Sequence, residues 1–267
     1  MVKFSYYPGC TLKTKAKELD EFAKVSASLL GFELEEIEDW QCCGGIYPLG
    51  RDEVASKLPT LRALDEANKK GQDLVTLCSA CHHVFKRVND DIHKNEDFRT
   101  RANNYLQLEN PYTGQTNVVH FLEVLRNQIG FEELKKNVVN PLKGRKIAAY
   151  YGCLLLRPSS VMQFDNAENP SIMEEFIKAI GATPVNFPYR NECCGGYISL
   201  KEKEISKSMS EKIMESAIGF GADTIITACP LCLYNLEKNK GDMKIEIVYF
   251  TELLAEALQG GNTYELK

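Results

Sequence analysis

The sequence predicts an α/β fold built twice, as two homologous cysteine-rich halves with mainly parallel sheets. Two observations carry this. Short apolar runs alternate with amphipathic stretches along the whole chain, as in α/β units. The same cysteine pattern also occurs twice with matching flanks. Cys10, Cys42, Cys43, Cys78 and Cys81 spell C…CC…C-x-x-C, and Cys153, Cys193, Cys194, Cys229 and Cys232 repeat it. The gaps Cys43–Cys78 and Cys194–Cys229 each hold 34 residues, so the second part of the repeat aligns without insertion. The gaps before each Cys pair hold 31 and 39 residues.

The elements follow in order. Val2–Tyr6, Phe32–Ile37, Leu74–Leu77 and Val118–Val119 read as strands of the first half. Lys146–Tyr151, Thr183–Phe187, Thr224–Ala228 and Ile245–Tyr249 read as strands of the second. Helical spacing places Leu19, Phe22, Ser26 and Leu29 on one face, as it does Ile172, Phe176 and Ile180. Ile205, Met209, Ile213 and Met214 do the same further on. These apolar stripes are expected to be core. NPLKG at 140–144 marks the boundary, giving domains 1–143 and 144–267. Residues 95–115 have no counterpart in the second half and read as a partly helical insertion ending in the turn NPYTG. KEKEISK (201–207) reads as a solvated helix face, and the tail QGGNTYELK as frayed or partner-bound.

Composition narrows the function. The 267 residues are 44% hydrophobic and 26% charged, with net charge -5, which is ordinary for a globular protein. No basic excess favours nucleic acid. No apolar run approaches the roughly 18 residues of a membrane span. MVKFSYYPGC lacks the apolar stretch of a secretory signal. The expectation is a soluble cytoplasmic protein. In that compartment thiols stay reduced, so ten cysteines mean metal or catalysis before disulfides. A vicinal disulfide at Cys42–Cys43 or Cys193–Cys194 is strained.

Position adds to this. Cys10, Cys78, Cys153 and Cys229 each follow a strand directly or nearly so, the Cys-Cys-Gly-Gly motifs lie just beyond strand-like segments, and in a parallel sheet those loops meet at the carboxyl edge. Gly44–Gly45 and Gly195–Gly196 permit tight turns and leave room for a bulky inorganic group, or are plain turn glycines before a helix. Thiolates suit zinc, copper(I) and iron–sulfur clusters. A structural zinc and the common clusters take four ligands, so the fifth sulfur in each half is a bridging ligand or a free thiol.

These spacings resemble the paired CCG domains of the heterodisulfide reductase B subunit. The resemblance covers nearly the whole chain. It implies two domains related by a pseudo-twofold, each holding a noncubane [4Fe–4S] cluster. Cys10, Cys42, Cys43, Cys78 and Cys81 would ligate one; Cys153, Cys193, Cys194, Cys229 and Cys232 would ligate the other. It implies a disulfide held between the clusters and reduced by one electron from each. It implies partners: a ferredoxin-type C-like subunit with cubane clusters and a flavin-containing A-like subunit, as also found in electron-bifurcating complexes. The absence of a G-x-G-x-x-G or Walker motif agrees with electrons arriving from partners. The competing readings are an iron–sulfur component of a lactate- or glycolate-type oxidoreductase and a structural zinc protein.

Other candidates are few. His82 and His83 follow Cys81 and either tune a cluster or face solvent. His120 stands where the second half has Tyr249 and reads as structural; His93 reads as solvated. Lys13, Lys15 and Arg157 either balance cluster charge or lie at the surface. Trp40 is expected to shield the first site.

Overall fold

The computed structural model describes residues 1–45 and 53–259. The first half runs β1 (Val2–Tyr7), α1 (Gly9–Thr14), α2 (Lys17–Leu29), β2 (Phe32–Glu36), α3 (Glu53–Lys70) and β3 (Leu74–Thr76). It continues α4 (Ser79–Lys94), α5 (Glu96–Leu106), β4 (Val118–His120), α6 (Phe121–Val124), a π-helical turn (Leu125–Ile129) and α7 (Phe131–Asn137). The second half runs β5 (Lys146–Tyr150), α8 (Ser159–Met162), α9 (Ile172–Ala179), β6 (Thr183–Val185) and a short 3-10 turn (Gly196–Ile198). It closes with α10 (Lys203–Gly219), β7 (Thr224–Thr227), α11 (Pro230–Asn239), β8 (Glu246–Tyr249) and α12 (Phe250–Gln259). Every expected strand is present.

Each half forms a four-stranded, all-parallel sheet, ordered β2-β1-β3-β4 and β6-β5-β7-β8. The central strands β3 and β7 are buried throughout, which is why they read as unbroken apolar runs. Both sheets reverse strand order between their first and third strands. α/β proteins bind ligands at that switch point, beyond the carboxyl ends.

The halves are not independent beads. A single core cluster runs through both. Helix α12 packs on α2, with Thr251 Oγ1 donating to the Leu19 carbonyl at 3.0 Å. In the reciprocal place α6 and α7 pack on α9, and Arg126 reaches the Phe164 carbonyl at 3.2 Å. Each half therefore lends its closing helices to the other, as a pseudo-twofold requires.

Some expectations are corrected. Leu29 is 50% exposed, because the buried face of α2 runs through Leu19, Phe22, Ala23, Ser26 and Ala27. Ile205 is 52% exposed, and the inward face of α10 carries Ser206 and Ser210 beside Ile213 and Met214. A polar anchor described below takes the place of apolar packing there. The insertion holds α5, capped by Asn95, and is strapped down by buried Tyr112, whose hydroxyl donates to Asn89 at 2.5 Å. Of the tail from Gln259, and of the stretch aligned with Tyr197–Leu200, only Gln259 lies among the described residues.

Candidate functional site

The strand ends deliver the cysteines. Cys10 lies on α1 just past β1, and Cys42–Cys43 follow β2. Cys78 caps the N-terminus of α4 and Cys81 sits in its first turn. The second half repeats this, with Cys229 capping α11 and Cys232 in its first turn. Helix N-termini favour anionic thiolate there. Cys43 Sγ lies 3.4 Å from Cys81 Sγ, and Cys42 Sγ 3.8 Å from Cys10 Sγ. The matching pair Cys194–Cys232 is 3.5 Å apart. Cys43, Cys78, Cys81, Cys194, Cys229 and Cys232 are buried, while Cys42 is exposed at the rim. All ten thiols are free, so there is no vicinal disulfide.

Gly44 and Gly195 hold φ of 75° and 78°, the left-handed region that favours glycine. This turn aims the Gly44 and Gly195 amides at Cys42 and Cys193 Sγ, each at 3.4 Å. Gly45 and Gly196 serve close approach. A Cβ on Gly196 would stand 3.3 Å from Cys194 Sγ and 2.9 Å from Leu231. Turn and room for a bulky group are thus divided between the first and second glycine.

The thiols crowd one another. Cys42 donating to Cys43 pulls Cys43 down to about 3, while Cys42 itself is pushed up. Cys153 likewise pulls Cys193 down to about 6 and is itself pushed up. Holding all of them as thiolates would take bound metal to balance the charge. Among the described residues, no three His, Cys, Asp or Glu side chains close on a point fit for a single ion. The second set instead rings a pocket with Tyr151, Leu154, Gly196, Tyr197, Leu231 and, from the first half, Ser79. Thiolate donors, close-approach glycines and helix N-termini suit a multi-atom, sulfur-ligated group. The two centres adjoin, for Cys78 is pushed up first by its Cys229 neighbour.

The comparisons with known proteins agree with this geometry. The model of the CCG cysteine-rich domain matches residues 4–86 and, again, 147–237. The chain belongs to this family. It is 30% identical over 265 residues to the 8-methylmenaquinol:fumarate reductase membrane anchor subunit of Wolinella succinogenes, covering 96% of this chain and 92% of that one. It is 27% identical over 270 residues to a protein of Archaeoglobus profundus described as like the heterodisulfide reductase B subunit (96% and 90%). It is 24% identical over 271 residues to the B subunit of the ferredoxin:CoB-CoM heterodisulfide reductase of Methanosarcina mazei (97% and 90%). The crystal structure of a hypothetical protein from Helicobacter pylori shares the fold at a TM-score of 0.74 and 13% identity, covering 99% of this chain and 50% of that one.

Within each CCG repeat a tyrosine braces the loop that carries the Cys pair. Strand register puts Tyr7 opposite Thr76 and Tyr150 opposite Thr227. Tyr7 and Tyr150 are therefore equivalent, and Pro8 stands where the second repeat has Tyr151. The Tyr7 hydroxyl donates to the Gln41 carbonyl at 2.7 Å, and the Tyr150 hydroxyl to the Glu192 carbonyl at 2.8 Å. Each accepting residue immediately precedes a Cys pair.

The repeats differ behind that pair. The Cys194 carbonyl accepts from Asn235 Nδ2 at 2.6 Å and Ser210 Oγ at 3.0 Å, with Ser206 bonded to the same asparagine. The equal spacing aligns Asn235 with Val84, Ser206 with Ala55 and Ser210 with Pro59, so the first repeat lacks these side chains. The hydrophobic periodicity of α10 has no place for two buried serines; their only sequence signal is this alignment. Asn235→Val is expected to cost about 1–3 kcal/mol by stranding buried polar groups. Urea unfolding of variant and parent measures it, and an unchanged midpoint would show the network to be idle.

The remaining candidates separate cleanly. Lys13 is paired with Asp20 (3.1 Å) and Glu36 (2.6 Å), and Lys15 is exposed. Arg157 reaches the Asn191 carbonyl at 3.0 Å and Glu168. Lys13 and Arg157 thus brace loops. Trp40 packs edge-on against Tyr7 at 5.7 Å, beside the first site. His93 is exposed. His83 is half-buried and bonded to the Leu154 carbonyl at 3.1 Å, next to Cys153. His82 is fully buried against Thr76, so neither His82 nor His83 simply faces solvent.

His120 caps α6, accepting from Leu122 and donating from Nε2 to the Leu77 carbonyl at 2.8 Å. Burial holds it down to about 4. A lowered folded value means that the native state takes up this proton later than the unfolded chain. Stability is therefore complete above about pH 6.5 and drains away toward about pH 4, by about 3 kcal/mol for this group. Urea midpoints across that range should fall more steeply in the parent than in His120→Gln; equal slopes would remove His120 from the account.

Proposed function

We propose that the chain is an iron–sulfur oxidoreductase subunit of the heterodisulfide reductase B type, with a cytoplasmic location. Domains 1–143 and 144–267 each hold one noncubane [4Fe–4S] cluster on the five cysteines of that half. The observation that carries this reading is the convergence of each five-cysteine set at a sheet's carboxyl edge, beside its twin. When bound, such clusters supply one-electron steps. Cleaving a disulfide takes two electrons and two protons and yields two thiols. Two adjoining centres match that need, with one electron delivered to each sulfur. The electrons come from a ferredoxin-type C-like subunit fed by a flavin-containing A-like subunit, in a complex that can include electron bifurcation.

The test is anaerobic purification with metal analysis. About eight iron and about eight sulfide per chain are expected for two four-iron clusters. Stoichiometric zinc without sulfide would favour the structural zinc protein and sink the proposal. Recovery with a 2-hydroxyacid dehydrogenase would favour the lactate or glycolate reading.

A second reading keeps the clusters and changes the complex: a component of a quinol-linked fumarate-reductase-type assembly. It is supported by the 30% identity to the Wolinella protein. It is also supported by the lining of the second centre, which has no Lys, Arg or His among the described residues. Tyr197, Ile198 and Leu200 lie exposed on the loop that follows its Cys pair. Such a rim suits a neutral, apolar redox partner better than a charged one. No described helix is long and apolar enough to cross a membrane. Co-purification decides: a flavin subunit with a two-cubane subunit supports the first reading, fumarate reductase subunits the second.

A further inference from the structure

The residues that close β4 and β8 do something that the cysteine pattern does not announce. Register aligns His120 with Thr76 and Tyr249 with Thr227, so they occupy equivalent strand ends. Both reach the Leu77 carbonyl, His120 Nε2 at 2.8 Å from within the first half and the Tyr249 hydroxyl at 2.6 Å from the second. The Tyr249 hydroxyl also lies 3.1 Å from the Ala228 carbonyl. That carbonyl accepts in turn from Ser79 of the first half, from its amide at 3.0 Å and its hydroxyl at 2.8 Å. Leu77 immediately precedes Cys78, and Ala228 immediately precedes Cys229.

Every member of this knot is buried, with Tyr249 and His120 at 0% exposure. It sits where the two halves meet, and it clasps the backbones of two cysteines that face each other across the interface. His120 Nδ1 accepts from the Leu122 amide at 3.3 Å, so the neutral ring carries its proton on Nε2, as the bond to Leu77 needs. Bonds of this kind in a dry interior are stiff, because breaking one strands a desolvated carbonyl.

We propose that Tyr249, His120 and Ser79 are positioning residues that fix the separation of the two iron–sulfur sites, so that their clusters behave as one electronically coupled pair. The proposal rests on the reading that each half holds a cluster. The hydroxyl of Tyr249 reaches from the second half to both carbonyls, and Ser79 answers it from the first half. A merely structural tyrosine would contribute stability without setting the spacing of Cys78 and Cys229.

The test uses Tyr249→Phe, which keeps the ring and removes the bridging hydroxyl, alongside Ser79→Ala, a smaller lesion in the same knot. His120→Gln, whose amide can still donate to Leu77, serves as the conservative control. Iron and sulfide are measured first, then the EPR spectrum and the two midpoint potentials of the reduced protein. The expected result for Tyr249→Phe is parental iron content, loss of spin–spin broadening between the clusters, and a shift of the two potentials toward each other. Ser79→Ala should move both readings in the same direction, and His120→Gln should leave them near parental. Parental iron with parental broadening and potentials in both Tyr249→Phe and Ser79→Ala overturns the positioning role alone. A parent protein without iron and sulfide overturns the cluster reading on which it stands.

Discussion

Alanine at Cys43 or Cys194 is expected to strip or convert the cluster of that half and to leave the other half loaded. Both thiols are buried, at 3.4 Å from Cys81 and 3.5 Å from Cys232, so each is the inner member of its vicinal pair. The outer members, Cys42 and Cys193, turn toward the following Gly44 and Gly195 amides instead. A buried site emptied of its inner sulfur cannot be refilled by a water of matching softness, because iron–sulfur chemistry at these centres is built on thiolate. Iron should fall from about eight to about four per chain, or to a rearranged cluster with a different EPR signal, and turnover should be lost. Full activity with an unchanged spectrum would refute the assignment of five ligands to each centre. The two variants should not behave identically. The loop of Cys194 is anchored by Asn235 and Ser210, whereas valine and proline stand at the aligned positions behind Cys43. The empty second centre should keep its loop in place, and reconstitution of Cys43→Ala should be the slower of the two.

Much of the fold is legible because parallel strands buried on both faces write themselves as continuous apolar runs, as β3 and β7 do. The cysteines are legible because repetition at a fixed spacing of 34 residues leaves little room for accident. What escapes is polar. Buried Ser206, Ser210 and Asn235 look like surface residues to any hydrophobic pattern, and the apolar Ile205 beside them reads as core for the same reason. The equivalence of Tyr7 with Tyr150 is masked by a doubled tyrosine in each half; strand register, like the count of three residues to Cys10 and to Cys153, offsets Tyr6-Tyr7 from Tyr150-Tyr151 by one place. The exchange of closing helices between halves is not legible either. An amphipathic helix such as α12 records that one face is covered, not by which half of the chain.

Arg190→Met is expected to destabilise the second half by about 3–5 kcal/mol, the cost of leaving a buried charge without its partner. Arg190 Nη1 lies 2.5 Å from Glu174 Oε1, with side chains only 12% and 7% exposed. The other Glu174 oxygen accepts from the Tyr151 hydroxyl, which itself accepts from the Met173 amide at 2.9 Å. The Arg190 carbonyl receives the Tyr151 and Gly152 amides, so this residue ties the approach to Cys153 to the approach to Cys193. Burial already pushes the Glu174 carboxyl above its usual range, against the pull of Tyr151 and Arg190. Without the guanidinium it rises further, and the neutral acid escapes part of the penalty. The unfolded state is common to both proteins, so the loss should grow as pH rises through the parent's folded Glu174 value, above the usual carboxylate range, and shrink below it. Urea midpoints of parent and variant at acid and neutral pH measure both size and sign. The double variant Arg190→Met with Glu174→Gln should recover most of the loss, because the two residues act as one unit. A pH-independent loss, or no recovery in the double variant, would place the effect elsewhere. The first half supplies the contrast. There Asp20 and Glu36 share two lysines, Lys13 at 3.1 and 2.6 Å and Lys24 at 2.9 and 3.1 Å. Removing one lysine leaves the other in contact with both acids, in a more exposed setting where ion pairs are worth about 0–1 kcal/mol. Lys13→Met should thus be mild where Arg190→Met is severe, although each residue braces the loop of a cysteine centre.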